Sequence, residues 1–283
     1  MTMKFADFAI AETLDDAQAK LRELGPSGFP VAGGTSFQYL SNRPGAVAVD
    51  ISRIGLAGIT GHENEFRIGA NTTLTDLVRY EADGWILHDI ATRIPTHQIR
   101  NISTIAGNIA RLFPWSEIPL GLLVLEASIV VKDLESRQVP ASQFFATRPS
   151  KTLRPGELVT EIRIPKVTGS TGFGYKKENV TNAAFGLMSA AAAITLDGDR
   201  IQQARVAVGS AVPAPTLVPI AEQELAGQPA NESSITNAIG KAIANVRWQG
   251  REGMTSAFGA HLAKVIIHDA LTQALQRAQG ENA

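Results

Sequence analysis

The stretch VAGGTSFQYL, Val31 to Leu40, runs from strand-like residues into Gly33-Gly34-Thr35-Ser36 before turning apolar again. Two adjacent glycines at the end of a strand let the main chain approach a ligand, and successive exposed N–H groups form a concavity suited to anions. Thr35 and Ser36 add hydroxyl donors. Taken alone, Gly-Gly-Thr-Ser reads equally as an ordinary tight turn. A second stretch, IRNISTIAGN (Ile99 to Asn108), is also rich in small, hydroxyl and amide residues, and its Thr104, Gly107 and Asn108 can approach and hydrogen-bond a ligand. Two such loops, one in each of two N-terminal units, make a cleft between those units a natural phosphate-binding site, because cofactors commonly sit where domains meet.

Other chemistries find little to work with. The histidines (His62, His88, His97, His261 and His268) show no HExxH spacing and no carboxylate cluster beside them, so no metal site is expected. Gly-Gly-Thr-Ser is neither a GxSxG nucleophile elbow nor a Walker loop, and no GxGxxG joins a strand to a helix. Hydrolase, P-loop NTPase and Rossmann readings therefore drop away. Trp85, Trp115 and Trp248 read as core or interface aromatics, since no basic residues interleave with them.

Composition narrows the partners. The chain has 283 residues, 44% of them hydrophobic and 19% charged, enough for two or three domains around substantial cores. A formal net charge of -1 without a Lys/Arg block disfavours nucleic acid and anionic membrane surfaces. With no cysteine, the chain can hold neither disulfides nor Cys-ligated iron–sulfur, so any such cluster must sit on another chain. Asp7 and Glu12 interrupt what a signal peptide would keep apolar, and no apolar run approaches the ~20 residues of a membrane span; a cytoplasmic protein is expected.

The elements that must position these stretches interleave helices and strands. Thr13, with Asp16 three residues on, opens TLDDAQAKLREL as a capped amphipathic helix that Gly25 ends. FPVAGG and AVAVDIS follow as strands separated by SNRPG, so residues 1–58 read as a βαββ unit. In residues 59–168, EFRIGANTT reads as a strand, TLTDLVRYEAD as a helix capped by Thr73, and GWILHDIATRI as a helix stopping near Pro95. Turn-rich NISTIAGN precedes the helical SEIPLGLLVLEA, and SIVVKD, RQVPASQFF and ELVTEIRIP read as strands. From Gly169, GSTGFG reads as a linker into a third unit, 169–283, with a hairpin turning at Asp197-Gly198 and helices over 233–246 and 256–276. The class is α+β, not a repeating βαβ pattern.

VAGGTS, then IRNISTIAGNIARLFPWSEIPLGLLVLEASIVV, FF, ELVTEIRIP and GFGYKK, occur in the order and approximate spacing of the FAD-binding medium subunits of the molybdenum hydroxylases, the xanthine dehydrogenase and carbon monoxide dehydrogenase family, which this chain resembles over nearly its whole length. ARVAVGSAVPAPTLVPIAEQELAG and FGAHLAKVIIHDAL resemble segments of that family's C-terminal domain. The resemblance implies an FAD-binding domain of the vanillyl-alcohol-oxidase-like (PCMH) type, built of two α+β subdomains with the flavin between them, and a smaller C-terminal α+β domain of the CO dehydrogenase flavoprotein type.

By position, the resemblance implies that Ala32, Gly33, Gly34, Thr35 and Ser36 form one pyrophosphate loop and Thr104, Ile105, Ala106, Gly107 and Asn108 the other. Glu117 stands where an aspartate reaches a cofactor hydroxyl; a helix-terminal acid favoured by the dipole is the alternative for it. Val159 stands where an aliphatic residue meets the flavin, or is plain strand core. Lys177, with Lys176 as its neighbour, stands where a lysine near the isoalloxazine ring stabilises the reduced, anionic flavin, or is a solvated charge on a strand edge. The chain departs from the pattern at Ala106, where a glycine is usual, at the bulky Phe113-Pro114-Trp115, and at ENVTNAAF, which lacks basic residues. The implied function is that of an electron-transfer subunit carrying FAD: a large subunit with a molybdenum cofactor oxidises the substrate, a small [2Fe-2S] subunit passes electrons on, and FAD delivers them to NAD, a quinone, oxygen or another acceptor. A dimer of heterotrimers is implied, and no side-chain acid, base or nucleophile of this chain is expected to act as a catalytic residue. A self-contained FAD oxidoreductase and a flavin-free scaffold subunit are the competing readings.

Overall fold

The structure is a computed structural model that describes residues 5–39, 45–149, 153–167, 169–181, 184–249 and 254–281. The turn expected at SNRPG lies, but for Gly45, outside the described residues. Along the chain run β1 (Asp7–Ile10), α1 (Leu14–Leu24), β2 (Gly28–Val31), β3 (Val47–Asp50), β4 (Ile59–Gly61), β5 (Glu65–Gly69) and α2 (Leu74–Arg79). Next come α3 (Leu87–Ala91), α4 (His97–Ile102), α5 (Ile105–Ala110), α6 (Ile118–Val124), β6 (Ser128–Lys132), β7 (Ser136–Pro140), α7 (Ala141–Phe144) and β8 (Leu158–Pro165). The remainder holds β9 (Thr171–Glu178), β10 (Met188–Asp197), β11 (Arg200–Gly209), β12 (Thr216–Leu217), α8 (Pro219–Leu225), α9 (Glu232–Ile243) and α10 (Ser256–Ala278).

These elements form two compact units, each collected from separated segments: Met1–Tyr80, Thr96–Arg111 and Ser128–Arg163 in the first, Glu81–Pro95, Leu112–Ala127 and Ile164–Ala283 in the second. In the first unit the N-terminal βαββ segment forms a parallel sheet in the order β1-β3-β2. The Thr13 hydroxyl accepts from the Asp16 amide, so the expected cap forms, and the Asp16 carboxylate accepts from the Glu12 amide one residue ahead of the cap. Behind it, Ala17 and Leu21 of α1 pack with Val49 and Ile54. A second sheet, in the order β4-β5-β8-β6-β7, follows, and Thr73 caps α2 with a reciprocal bond to Asp76.

Three readings of this part need correction. NISTIAGN is not a turn: it holds the end of α4 and most of α5, two short helices pinned by tertiary bonds rather than by propensity. Among these bonds, Leu74 N donates to Ser103 O at 2.9 Å and Ile105 N to Thr72 O at 2.9 Å. RQVPASQFF is strand only as far as Pro140, after which α7 begins. GWILHDIATRI is helical over Leu87–Ala91 alone.

The second unit is built on an antiparallel sheet in the order β12-β11-β10-β9. The β10–β11 hairpin forms as expected, Asp197 pairing with Arg200 around Gly198, whose φ of +57° the turn requires. GSTGFG is largely strand and not linker, since β9 starts at Thr171. Its glycines serve close packing: a Cβ on Gly172 would lie 2.0 Å from the Ala274 carbonyl oxygen of α10, and one on Gly174 would lie 2.0 Å from that of Ala270. One face of the sheet buries Met188, Ala190, Ala192 and Ile194 with Ile239 of α9 and Ile267 and Leu271 of α10. On the other face sits α6, apolar all round and wholly buried, with Leu120 against Gly209.

Candidate functional site

Ala32 to Ser36 follow β2 directly, and in the first unit they lie against the junction of α4 and α5. Thr35 and Ser103 share a hydroxyl–hydroxyl bond of 2.9 Å, and Gly33 passes so close to Ile102 that a Cβ there would sit 1.7 Å from the Ile102 carbonyl oxygen. Gly33 is therefore required by this crossing of backbones. Gly34 is required by its φ of +65°, and a Cβ there would meet nothing closer than the Phe37 ring at 3.6 Å. Among the described residues, the amides of Gly33, Gly34, Thr35 and Ser36 make no backbone hydrogen bond, so a row of donors stands available to an anion.

The second stretch contributes differently. Thr104 is the N-cap of α5, its hydroxyl accepting from the Gly107 amide at 3.1 Å, while the Ile105 amide donates to Thr72 O and the Ala106 amide to Ala70 O. The helix start has therefore spent its amides inside the unit, and Ala106 takes up the helix without strain. Asn108 keeps a resource: its Oδ1 is buried and has no hydrogen-bond partner among the described residues. A buried acceptor left so costs about 1–3 kcal/mol unless a donor reaches it. Open amides and an unmatched acceptor in one unit fit a ligand that carries both phosphate oxygens and hydroxyl groups, as FAD does. Val159, on β8, is 6% exposed and pairs with Val131 of β6, a strand-interior position.

Glu117 and Lys177 meet each other in the second unit. Lys177 Nζ lies 2.6 Å from Glu117 Oε1 and donates to the Arg93 carbonyl at 3.0 Å. Tyr175 donates its hydroxyl to Glu117 Oε2 at 2.9 Å. Glu117 is 4% and Tyr175 6% exposed, and the Lys177 side chain is 3% exposed, so Lys177 is not the solvated edge charge that its place on β9 allowed. Burial pushes the Glu117 carboxyl up, against the pull of the Lys177 ammonium and the Tyr175 hydroxyl; burial and then the Glu117 charge push the Tyr175 phenol well above its ordinary value. Glu117 occupies the N-cap position of α6, where the helix dipole favours an acid, and makes no capping bond. Beside this group Phe113 stacks on Trp115 at 5.0 Å, and Trp115 meets Phe185 at 4.8 Å.

Two further residues contribute, Tyr175 and Ser103. Tyr175 was findable, because it lies two residues before Lys177 on a strand and so shares its face. Ser103 carried no signal beyond its adjacency to Thr104.

Residues 3–167 match the family described as the FAD binding domain in molybdopterin dehydrogenase, and residues 174–274 the CO dehydrogenase flavoprotein C-terminal domain. The chain is 27% identical to the 6-hydroxypseudooxynicotine dehydrogenase complex subunit alpha of Paenarthrobacter nicotinovorans, over 96% of this chain and 95% of that one. It is also 27% identical to the carbon monoxide dehydrogenase medium chain of Afipia carboxidovorans, over 96% and 98%. The solved structure of a carbon monoxide dehydrogenase from Hydrogenophaga pseudoflava, a form lacking the Mo-pyranopterin moiety of the molybdenum cofactor, superposes with a TM-score of 0.92 at 26% identity, over 98% of this chain and 99% of that one.

Proposed function

Since the chain belongs to the family of FAD-binding medium subunits of the molybdenum hydroxylases, we propose that it carries FAD on Ala32–Ser36 and Asn108 and relays electrons from a [2Fe-2S] subunit to an external acceptor. The observation that carries this reading is the pairing, within one unit, of the open amides of Gly33 to Ser36 with the unmatched Asn108 Oδ1. The amides bind phosphate oxygens, and Asn108 accepts from a hydroxyl of the cofactor. Thr35 and Ser103 lock the two stretches together, Thr104 and Ile105 anchor α5, and Gly107 and the Ala106 methyl keep its first turn slim. Val159 supplies apolar packing behind the site, and Lys177, with Glu117 beside it, acts on the ring.

FAD supplies two-electron and one-electron redox chemistry when bound. This chain's residues hold it, exclude water and set the charge around it; oxidation of the substrate belongs to a large molybdenum-cofactor subunit, in a dimer of heterotrimers in the cytoplasm. To test this, the chain is co-expressed with its genomic neighbours, the complex is purified, and the chromophore released by denaturation is identified. One FAD per chain is the expected result; a complete complex without flavin would overturn the reading.

A further inference from the structure

Both oxygens of the Glu117 carboxylate are occupied from the same strand: Oε1 by Lys177 Nζ at 2.6 Å and Oε2 by the Tyr175 hydroxyl at 2.9 Å. Residues 175 and 177 project from one face of β9, and Glu117 enters from the start of α6, so the three side chains form one hydrogen-bonded unit fixed at both ends by secondary structure. Lys177 is held further by the Arg93 carbonyl at 3.0 Å, and the Arg93 charge draws the Tyr175 phenol downward against its burial and Glu117. A buried ion pair of this kind is weak support for stability, because removing two charges from water offsets most of their attraction. Its use must lie elsewhere.

We propose that Glu117 is the counter-ion of Lys177, and that Tyr175 is the positioning residue that fixes the pair, so that together they set the net charge felt at the flavin ring. This inference rests on the reading that Lys177 lies at that ring. Lys177 alone would hold reduced flavin tightly and make it slow to give electrons up; with Glu117 beside it the excess positive charge is largely compensated, and the Tyr175 hydroxyl tempers the carboxylate in turn. The arrangement suits a cofactor that must pass electrons on as readily as it takes them.

The test is a spectroelectrochemical titration of the flavin in the purified complex, with FAD content measured alongside. E117Q keeps FAD and raises the flavin midpoint potential, by enough to change the reduced-to-oxidised ratio at fixed applied potential about tenfold or more. K177M lowers it, and Y175F lowers it by less, because the carboxylate then keeps charge that the phenol had shared. E117Q leaves a buried lysine unpaired; should it fail to fold, the double variant E117Q/K177M, which buries neither charge, carries the comparison, and its potential returns toward that of the wild type. E117Q that loses FAD while the remaining flavin keeps its potential, or a double variant whose potential stays at that of K177M, would overturn the counter-ion role. If K177M itself leaves the potential unmoved with FAD bound, the placing of Lys177 at the ring fails; if K177M moves it and E117Q does not, only this inference fails.

Discussion

At Gly33 two backbones cross with no room for a side chain, and replacing it with alanine tests the cradle directly. The new Cβ would lie 1.7 Å from the Ile102 carbonyl oxygen, 2.7 Å from its carbon and 3.3 Å from Ser103 Cα. Carbon and carbonyl oxygen settle at about 3.3–3.6 Å, so the two segments would have to part by roughly 1.6–1.9 Å, and the obstacle is backbone that no rotamer change can clear. Parting breaks the Thr35–Ser103 bond of 2.9 Å. Overpacking costs about 1–3 kcal/mol and the lost bond about 1 kcal/mol, together roughly 2–4 kcal/mol against the FAD-loaded state. At tenfold per 1.4 kcal/mol, G33A should bind FAD at least about 30-fold more weakly. Quenching of flavin fluorescence on titration into apo-protein measures this, with thermal unfolding in the presence and absence of FAD. G34A is the comparator: its φ of +65° makes alanine strained by about 1–2 kcal/mol, yet its Cβ meets only the Phe37 ring, so it should lose stability while keeping more of its affinity. G33A binding FAD within threefold of wild type, with an unchanged melting temperature, would refute the reasoning.

Asn108→Leu should weaken FAD binding about tenfold while leaving the apo-protein as stable as wild type or more so, because it removes a buried acceptor that has no partner among the described residues; the same titration and melt read both. Gly174→Ala drives a Cβ to 2.0 Å from the Ala270 carbonyl oxygen and should cost about 1–3 kcal/mol, a fall in melting temperature of roughly 2–4 °C per kcal/mol by calorimetry. Burial alone would raise the Glu157 carboxyl, but the Arg137 guanidinium, bonded to both its oxygens at 3.0 Å, and the Arg154 amide outweigh it and hold it below its ordinary value. With the folded value below the unfolded one, this stability is present above the ordinary glutamate range and lost as pH falls through the folded value. E157Q should therefore melt below wild type at neutral pH, and the two melting curves should converge as pH falls through the folded value of Glu157.

Features written in local chemistry were legible in the sequence. Thr13 with Asp16, and Thr73 with Asp76, cap the helices their spacing promised, and Gly198 turns the hairpin where a left-handed residue was needed. Residues whose conformation is set by distant partners misled. NISTIAGN has the composition of a loop, yet bonds from Leu74 and to Thr72 and Ala70 hold it as two short helices. Gly172 and Gly174 look like breakers, and they are thinned positions over which a helix lies. At the site, Gly33 and Gly34 drew attention for the conformational freedom they use. The bond between Glu117 and Lys177 joins residues 60 apart in sequence and has no local signature, so the sequence leaves a solvated edge charge open as an alternative for a side chain that is buried.

The cover over β9 also has a schedule. The Tyr175 amide donates to Gln273 Oε1 at 3.1 Å and Arg277 donates to the Phe173 carbonyl at 2.9 Å, partners 98 and 104 residues further along the chain. At roughly 5–20 residues per second, a ribosome delivers α10 on the order of 5–20 s after the strand it protects. During that interval β9, an edge strand stripped of side chains at Gly172 and Gly174, has nothing from α10 to lie against it and can be paired by any other strand that arrives first. Nascent chains of this protein are therefore exposed at one strand for most of the synthesis of the second unit, and a stop codon anywhere before Ser256 makes that exposure permanent.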